Sequence, residues 1–150
     1  MMNDIYEKVI KKFESPQDYD SFQINPDYEL RDRILGISVD WKDNRHMEFK
    51  NLDIDGLGKL IINDFVFPFL RVNNMPSLKE IYLFLVKYPV IRLGGTVFNP
   101  TGKRPRYGLS IDRLVVNESE VTDSLRTDFI EFSSSADEVS TDNGLFCWWD

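Results

Sequence analysis

The sequence predicts a single α+β domain over residues 1–150, with a mainly antiparallel sheet and three to four helices packed largely on one side. Two patterns predict this fold class: amphipathic stretches with helix start and stop signals, and short strands separated by turn-rich connections. The length suits one domain, since domains cluster at roughly 100–150 residues. A hydrophobic fraction of 42%, with 3 Trp, 6 Tyr and 11 Phe, is sufficient for a buried core.

Helices are predicted from their ends. The first begins with Asp4 as its cap and Glu7 three residues later, and it ends before Pro16, because a residue preceding proline is disfavoured in the α region. Residues 15–29 are predicted to be loop. Three further helices follow from capping residues, apolar spacing and prolines: Leu57–Phe65 before Pro68, a stretch from Ser77 and Glu80 to Pro89, and Glu118–Arg126.

Strands are predicted where apolar and polar residues alternate, or where short apolar runs lie between turns. Leu35, Ile37, Val39 and Trp41 alternate with polar or small residues and predict a strand with one buried face. Met47–Phe49 is predicted to begin a return strand that forms a hairpin with this first strand. Four more strands are predicted, of which the first two pair with each other: Val90–Phe98, Tyr107–Val116, Thr127–Ser133 and Gly144–Trp149.

The net charge of −7 is unevenly distributed along the chain. Residues 114–150 contain one base, Arg126, and nine acids, which is 1 − 9 = −8, whereas residues 1–113 contain 17 bases and 16 acids, which is +1. This last quarter also contains many apolar residues, so its composition is not that of a disordered tail. Such an asymmetry indicates an interaction surface, or simply a solvated acidic face.

Composition excludes several classes of function. The acidic balance argues against direct nucleic-acid binding, because phosphate contacts need clustered Lys and Arg. One Cys and one His exclude a disulfide framework, a Cys/His zinc site and a two-histidine metal motif. The N-terminus lacks the apolar core of a secretory signal, and no apolar run approaches the ~20 residues that span a bilayer. We therefore expect a cytoplasmic protein that does not bind membranes.

The candidate catalytic residues are few. His46 would have to serve any Ser-His or Cys-His chemistry, but a polar turn around it is equally typical of a solvated histidine. Cys147 lies between Phe146 and Trp148, an apolar setting that raises the pKa of a thiol and favours a structural role. No catalytic constellation is identified, so the sequence predicts that the protein is not an enzyme and needs no cofactor.

Three further motifs have a structural explanation beside a functional one. Asn51, Asp53 and Asp55 match the first half of a calcium loop, but Lys59 and Ile62 stand where its later ligands should be, so a helix cap explains them as well. Gly94 and Gly95 lie within a predicted strand, where glycine marks a bulge or a close backbone approach. The basic cluster Lys103-Arg104-Pro105-Arg106 suits a phosphate, a solvated hairpin tip, or the chain's own acidic quarter.

Together these observations favour a non-catalytic acidic binding protein, and we expect an immunity or inhibitor protein that covers the active site of a basic, nuclease-type toxin. This expectation rests on an analogy of class and on charge. The residues expected to contact the partner are acids of the last quarter, with Trp148 or Trp149 as an aromatic anchor: Asp123, Asp128, Glu131, Asp137, Glu138, Asp142, Trp148 and Trp149.

Two alternatives belong to other classes. One is a small-molecule-binding domain or small enzyme with a pocket between sheet and helices. The other is a subunit of a larger assembly, in which Phe146, Trp148 and Trp149 are buried against a partner or a second copy.

Overall fold

Five α-helices and five β-strands form in the part of the chain that the computed structural model describes, residues 3–101 and 108–150. In chain order they are α1 (Asp4–Glu14), α2 (Tyr28–Leu35), β1 (His46–Leu52), α3 (Ile54–Ile62), α4 (Leu78–Lys87), β2 (Arg92–Phe98), β3 (Leu109–Val116), α5 (Asp123–Phe132), β4 (Glu138–Ser140) and β5 (Leu145–Trp148). Within these residues no helix is both long and apolar enough to cross a bilayer.

The strands form one sheet in the order β1-β2-β3-β5-β4, and every neighbouring pair is antiparallel. One face of the sheet is buried: Leu145 and Cys147 of β5 lie in the core, whereas Phe146 and Trp148 point to the opposite, partly exposed face. The predicted α+β class with an antiparallel sheet is confirmed. Five helices form among the described residues, rather than three to four.

Several predicted elements form with the expected end signals. The capping box of α4 is complete, since Ser77 Oγ accepts from the Glu80 N–H and Glu80 Oε1 accepts from the Ser77 N–H, each at 3.2 Å. The β2–β3 pair and β5 also form where predicted. One cap differs: Asn3, not Asp4, caps α1 by accepting from the Tyr6 N–H at 2.9 Å.

The strand predicted across Leu35–Trp41 is wrong, and so is its hairpin with Met47–Phe49. Residues Tyr28–Leu35 form α2, and β1 pairs with β2 instead. The helix has clear end signals, because Asp27 caps its start and Gly36 ends it with φ of 71°, a left-handed conformation that favours glycine. Residues 37–40, where the alternation continues, form no strand, and the predicted loop 15–29 ends in the first turn of α2.

The strand predicted over Thr127–Ser133 is also wrong. Thr122 caps α5 by accepting from the Leu125 N–H, and Leu125 and Phe129, four residues apart, are buried on one helix face. The helix predicted at Glu118–Arg126 is consequently displaced: a short 3₁₀ turn occupies Glu118–Glu120, and α5 starts at Asp123.

The bulge expected at the glycine pair is confirmed. The register between β2 and β3 shifts between Gly94 and Gly95, which pair with Arg113 and Ile111 and leave Asp112 as the extra residue of β3. Gly95 is required there because a Cβ atom on it would lie 1.9 Å from the Ser110 carbonyl oxygen.

Candidate functional site

Within the acidic last quarter of the sequence, most of the carboxylates lie in residues 118–142, which we call the acidic edge. It consists of the 3₁₀ turn at Glu118–Glu120, helix α5 and β4, the outermost strand next to β5. These residues contain one base and eight acids, a net charge of 1 − 8 = −7. The other residues contain 17 bases and 17 acids, so the acidic edge alone accounts for the net charge of the chain.

Four of the predicted contact residues are exposed carboxylates with no ion pair or side-chain hydrogen bond to another described residue: Asp123, Glu131, Glu138 and Asp142. Asp137 is also exposed, but its Oδ2 accepts from the Asp150 N–H at 2.7 Å. Charges that are not neutralised within the fold contribute most to the field that an approaching partner meets.

Asp128 differs from the other acids because it is already bound within the fold. The Tyr88 hydroxyl donates to its Oδ2, and Lys87 Nζ lies 2.9 Å from the same oxygen. The Tyr88 hydrogen bond first, and then Lys87, hold the pKa of Asp128 below its usual value. Asp128 therefore connects α5 to α4, and its charge is largely compensated.

The two predicted tryptophans have different environments. Trp149 is 2% exposed, and its indole N–H donates to Ser135 Oγ at 3.1 Å, so this side chain belongs to the core. Trp148 lies on the partly exposed face of the sheet, in register between Arg113 of β3 and Glu138 of β4.

Two apolar residues of the acidic edge were not among the predicted contacts. Ile130 on α5 is 49% exposed and Val139 on β4 is 43% exposed, and each is next to a glutamate in the sequence. The exposure of Ile130 does not follow from the strand predicted over Thr127–Ser133. A helical reading would have placed it away from the buried face of Leu125 and Phe129.

The residues considered for chemistry lie apart from one another. His46 is exposed at the start of β1, with the Phe98 ring as its neighbour. Cys147 is fully buried in β5, and burial raises the pKa of its thiol to about 12, so the thiol remains protonated at neutral pH. Within residues 3–101 and 108–150, no group of three or more His, Cys, Asp or Glu side chains is arranged to hold a metal ion.

The residues that match the first half of a calcium loop form a helix cap in the structure. Asp53 precedes α3, and its Oδ1 accepts from the Gly56 N–H at 2.8 Å. We expect Asp53→Ala to lower the free energy of unfolding by about 1 kcal/mol, because that N–H loses its partner. Urea unfolding measures the change. Millimolar calcium should leave the wild-type midpoint unchanged, and a stabilisation by calcium that Asp53→Ala abolishes would contradict the cap assignment.

The basic cluster at 103–106 lies outside the described residues. Compared with models of protein families, with curated proteins and with solved structures, the chain has no match. Its function is therefore inferred from its surfaces.

Proposed function

We propose that the protein is a non-catalytic binding protein whose acidic edge docks on a basic partner, in the manner of an immunity protein that covers the active site of a nuclease-type toxin. The observation that carries this proposal is the concentration of the chain's net charge of −7 in residues 118–142. A site built to hold phosphates contains Arg and Lys, and an acidic surface is complementary to it.

Exposed apolar side chains within residues 118–142 support a docking role over simple solvation. Charge alone mostly accelerates encounter and sets specificity, whereas desolvated apolar anchors contribute much of the affinity. Ile130 on α5 and Val139 on β4 are candidates for such anchors, because both are exposed and both belong to residues 118–142. We therefore assign the anchor role to these two residues and leave Trp149 to the core. Trp148, in register with Glu138, lies on the other face of the sheet from Val139, which is in register with Cys147.

The backbone of β4 adds a second means of recognition. Among the described strands β4 pairs with β5 alone, so one side of its peptide groups is not used by that sheet. The unpaired backbone groups of an edge strand can pair with a strand of another chain, and the surrounding charges restrict which chain can approach. Glu138 and the neighbouring acids would thus repel acidic proteins and admit basic ones.

Site-specific cross-linking tests this proposal. A photoreactive phenylalanine analogue placed at Val139 should capture a basic protein in cells from which the chain originates. Leu83, which is 41% exposed on α4, is the matched control position outside the acidic edge, and the same analogue there should not capture that protein. A partner with an acidic surface, or equal capture from both positions, would contradict the proposal.

A further inference from the structure

Strand β1 lies at the end of the sheet opposite to β4, and among the described strands it pairs with β2 alone, in regular register from His46 to Phe49. Just before β1, the Asn99 N–H donates to the Arg45 carbonyl oxygen at 2.9 Å. Because the backbone groups of an antiparallel strand point alternately to its two sides, those of His46 and Glu48 point away from β2. No backbone hydrogen bond joins these two residues to a described helix or loop. This edge therefore presents donors and acceptors that another strand can use.

Two opposite charges flank Phe49 on β1: Glu48 before it and Lys50 after it, both exposed. Glu48 Oε1 lies 3.9 Å from Arg113 Nη2, a long contact, and Lys50 has no ion pair with a described residue. Phe49 is 3% exposed and points into the core. Since side chains alternate along a strand, Glu48 and Lys50 share the other face of the sheet.

A second copy of β1 complements these charges if the two strands pair antiparallel about a two-fold axis at Phe49. Each Glu48 then lies directly opposite Lys50 of the other copy, and the symmetry makes this contact twice. In the same register even-numbered positions face even-numbered positions, so the outward-pointing backbone groups of the two strands meet. An axis at Glu48 or at Lys50 would instead place like charges opposite each other, which is destabilising. The charge pattern therefore selects one register.

The distribution of net charge also permits two copies to meet at this edge. Residues 118–142 carry a net charge of −7, whereas the other residues have equal numbers of acids and bases. The strand of the acidic edge, β4, lies at the far end of the sheet. In a ten-stranded sheet joined at β1, the two β4 strands are nine strand spacings apart, roughly 40 Å, which is several Debye lengths at physiological salt. Their mutual repulsion is therefore largely screened, whereas pairing through β4 would bring two acidic strands together.

We propose that the protein forms a homodimer by antiparallel pairing of β1 with β1 of a second copy, centred on Phe49. The two copies share one continuous sheet, and the two acidic edges lie at its far ends. The inference does not depend on the acidic edge as a docking surface, because β1 and residues 118–142 have no residue in common.

Charge reversal with rescue tests the dimer. Sedimentation equilibrium gives the monomer–dimer dissociation constant, and we expect the wild-type mass to rise from 17.6 kDa towards twice that value through the high micromolar range. Lys50→Glu places two pairs of glutamates opposite each other and should weaken the dimer about tenfold. Combining it with Glu48→Lys restores opposite charges in the same register and should return the constant to within about threefold of wild type.

Lys8→Glu is the matched control, because Lys8 is an exposed lysine of α1 that makes no ion pair with a described residue. It changes the net charge as Lys50→Glu does and should stay within about threefold of wild type, since distant exposed charges are screened. Far-UV circular dichroism checks that each variant is folded. The proposal is overturned if the wild type is monomeric at high micromolar concentration, if the two single variants lose equal affinity, or if the double variant does not recover. Photo-cross-linking at Val139 reports separately on the acidic edge.

Discussion

Replacing Gly95 with alanine is expected to lower the free energy of unfolding by about 3 kcal/mol, at the upper end of the usual cost of overpacking. An added Cβ would lie 1.9 Å from the Ser110 carbonyl oxygen and 2.8 Å from Phe49 Cζ. The first obstacle is backbone in the neighbouring strand, so relief requires β2 and β3 to separate. Urea unfolding followed by far-UV circular dichroism measures the loss.

Gly94→Ala is the matched control, because it introduces the same methyl group one residue away. There the nearest obstacles are Cγ and Cδ of Arg113, at 2.7 Å each, and a long side chain can move aside. We expect a cost of about 1 kcal/mol, partly from weakened contacts of Arg113 with Asp112. Equal costs for the two alanines would show that the close approach at Gly95 is not what determines this bulge.

Replacing Trp149 with alanine is expected to cost about 3–5 kcal/mol, which is typical of truncating a large buried aromatic side chain. The side chain is 2% exposed, and its indole N–H donates to Ser135 Oγ at 3.1 Å. Its loss removes apolar contacts and leaves that hydroxyl, which donates to the Asn74 carbonyl oxygen, without its donor. Chemical denaturation gives the change in the free energy of unfolding.

The Trp148→Ala variant tests whether the cost in free energy of unfolding depends on burial rather than on the residue being a tryptophan. Trp148 adjoins Trp149 in sequence but lies on the partly exposed face, so we expect a cost of about 1 kcal/mol, in line with an average substitution. If Trp148→Ala proved as costly as Trp149→Ala, the assignment of Trp149 to the core and Trp148 to the surface would be contradicted.

Local signals in the sequence predict several elements, including α1, whose end is marked by Pro16. Ser77 with Glu80 predicts α4, and the turn-rich connection after Phe98 predicts the β2–β3 pair. Two helices are missed or displaced although each has a cap, α2 with Asp27 and α5 with Thr122, because strands are predicted at residues 35–41 and 127–133. Alternation at Leu35–Trp41 suggests a strand, but Gly36 ends a helix, and the buried pair of Arg31 and Asp32 gives α2 a polar inner face that apolar patterns do not reveal.

The candidate site could be predicted only in part. The position of the negative charge could be predicted from the sequence, because eight acids lie within residues 118–142. The sequence does not predict which of these carboxylates remain unpaired, because Asp128 is bound by Tyr88 and Lys87, which are 40 and 41 residues distant in the chain. The exposure of Ile130 and the burial of Trp149 likewise depend on tertiary packing, which no local pattern encodes.

The most direct test of the acidic edge is the dissociation constant of the cross-linked partner for two fourfold variants of equal charge. The first combines Asp123→Asn, Glu131→Gln, Glu138→Gln and Asp142→Asn. The second neutralises four exposed acids elsewhere that make no ion pair with a described residue: Glu7→Gln, Glu14→Gln, Asp20→Asn and Asp43→Asn. Each variant has a net charge of −7 + 4 = −3.

Measured at two salt concentrations, the first variant should bind at least about tenfold more weakly than wild type and lose much of its salt dependence, because its local contacts are gone. The second should remain within about threefold of wild type, since distant exposed charges are screened. Equal losses in the two variants would mean that net charge alone drives binding. Unchanged affinity in the first would show that residues 118–142 are not the docking surface.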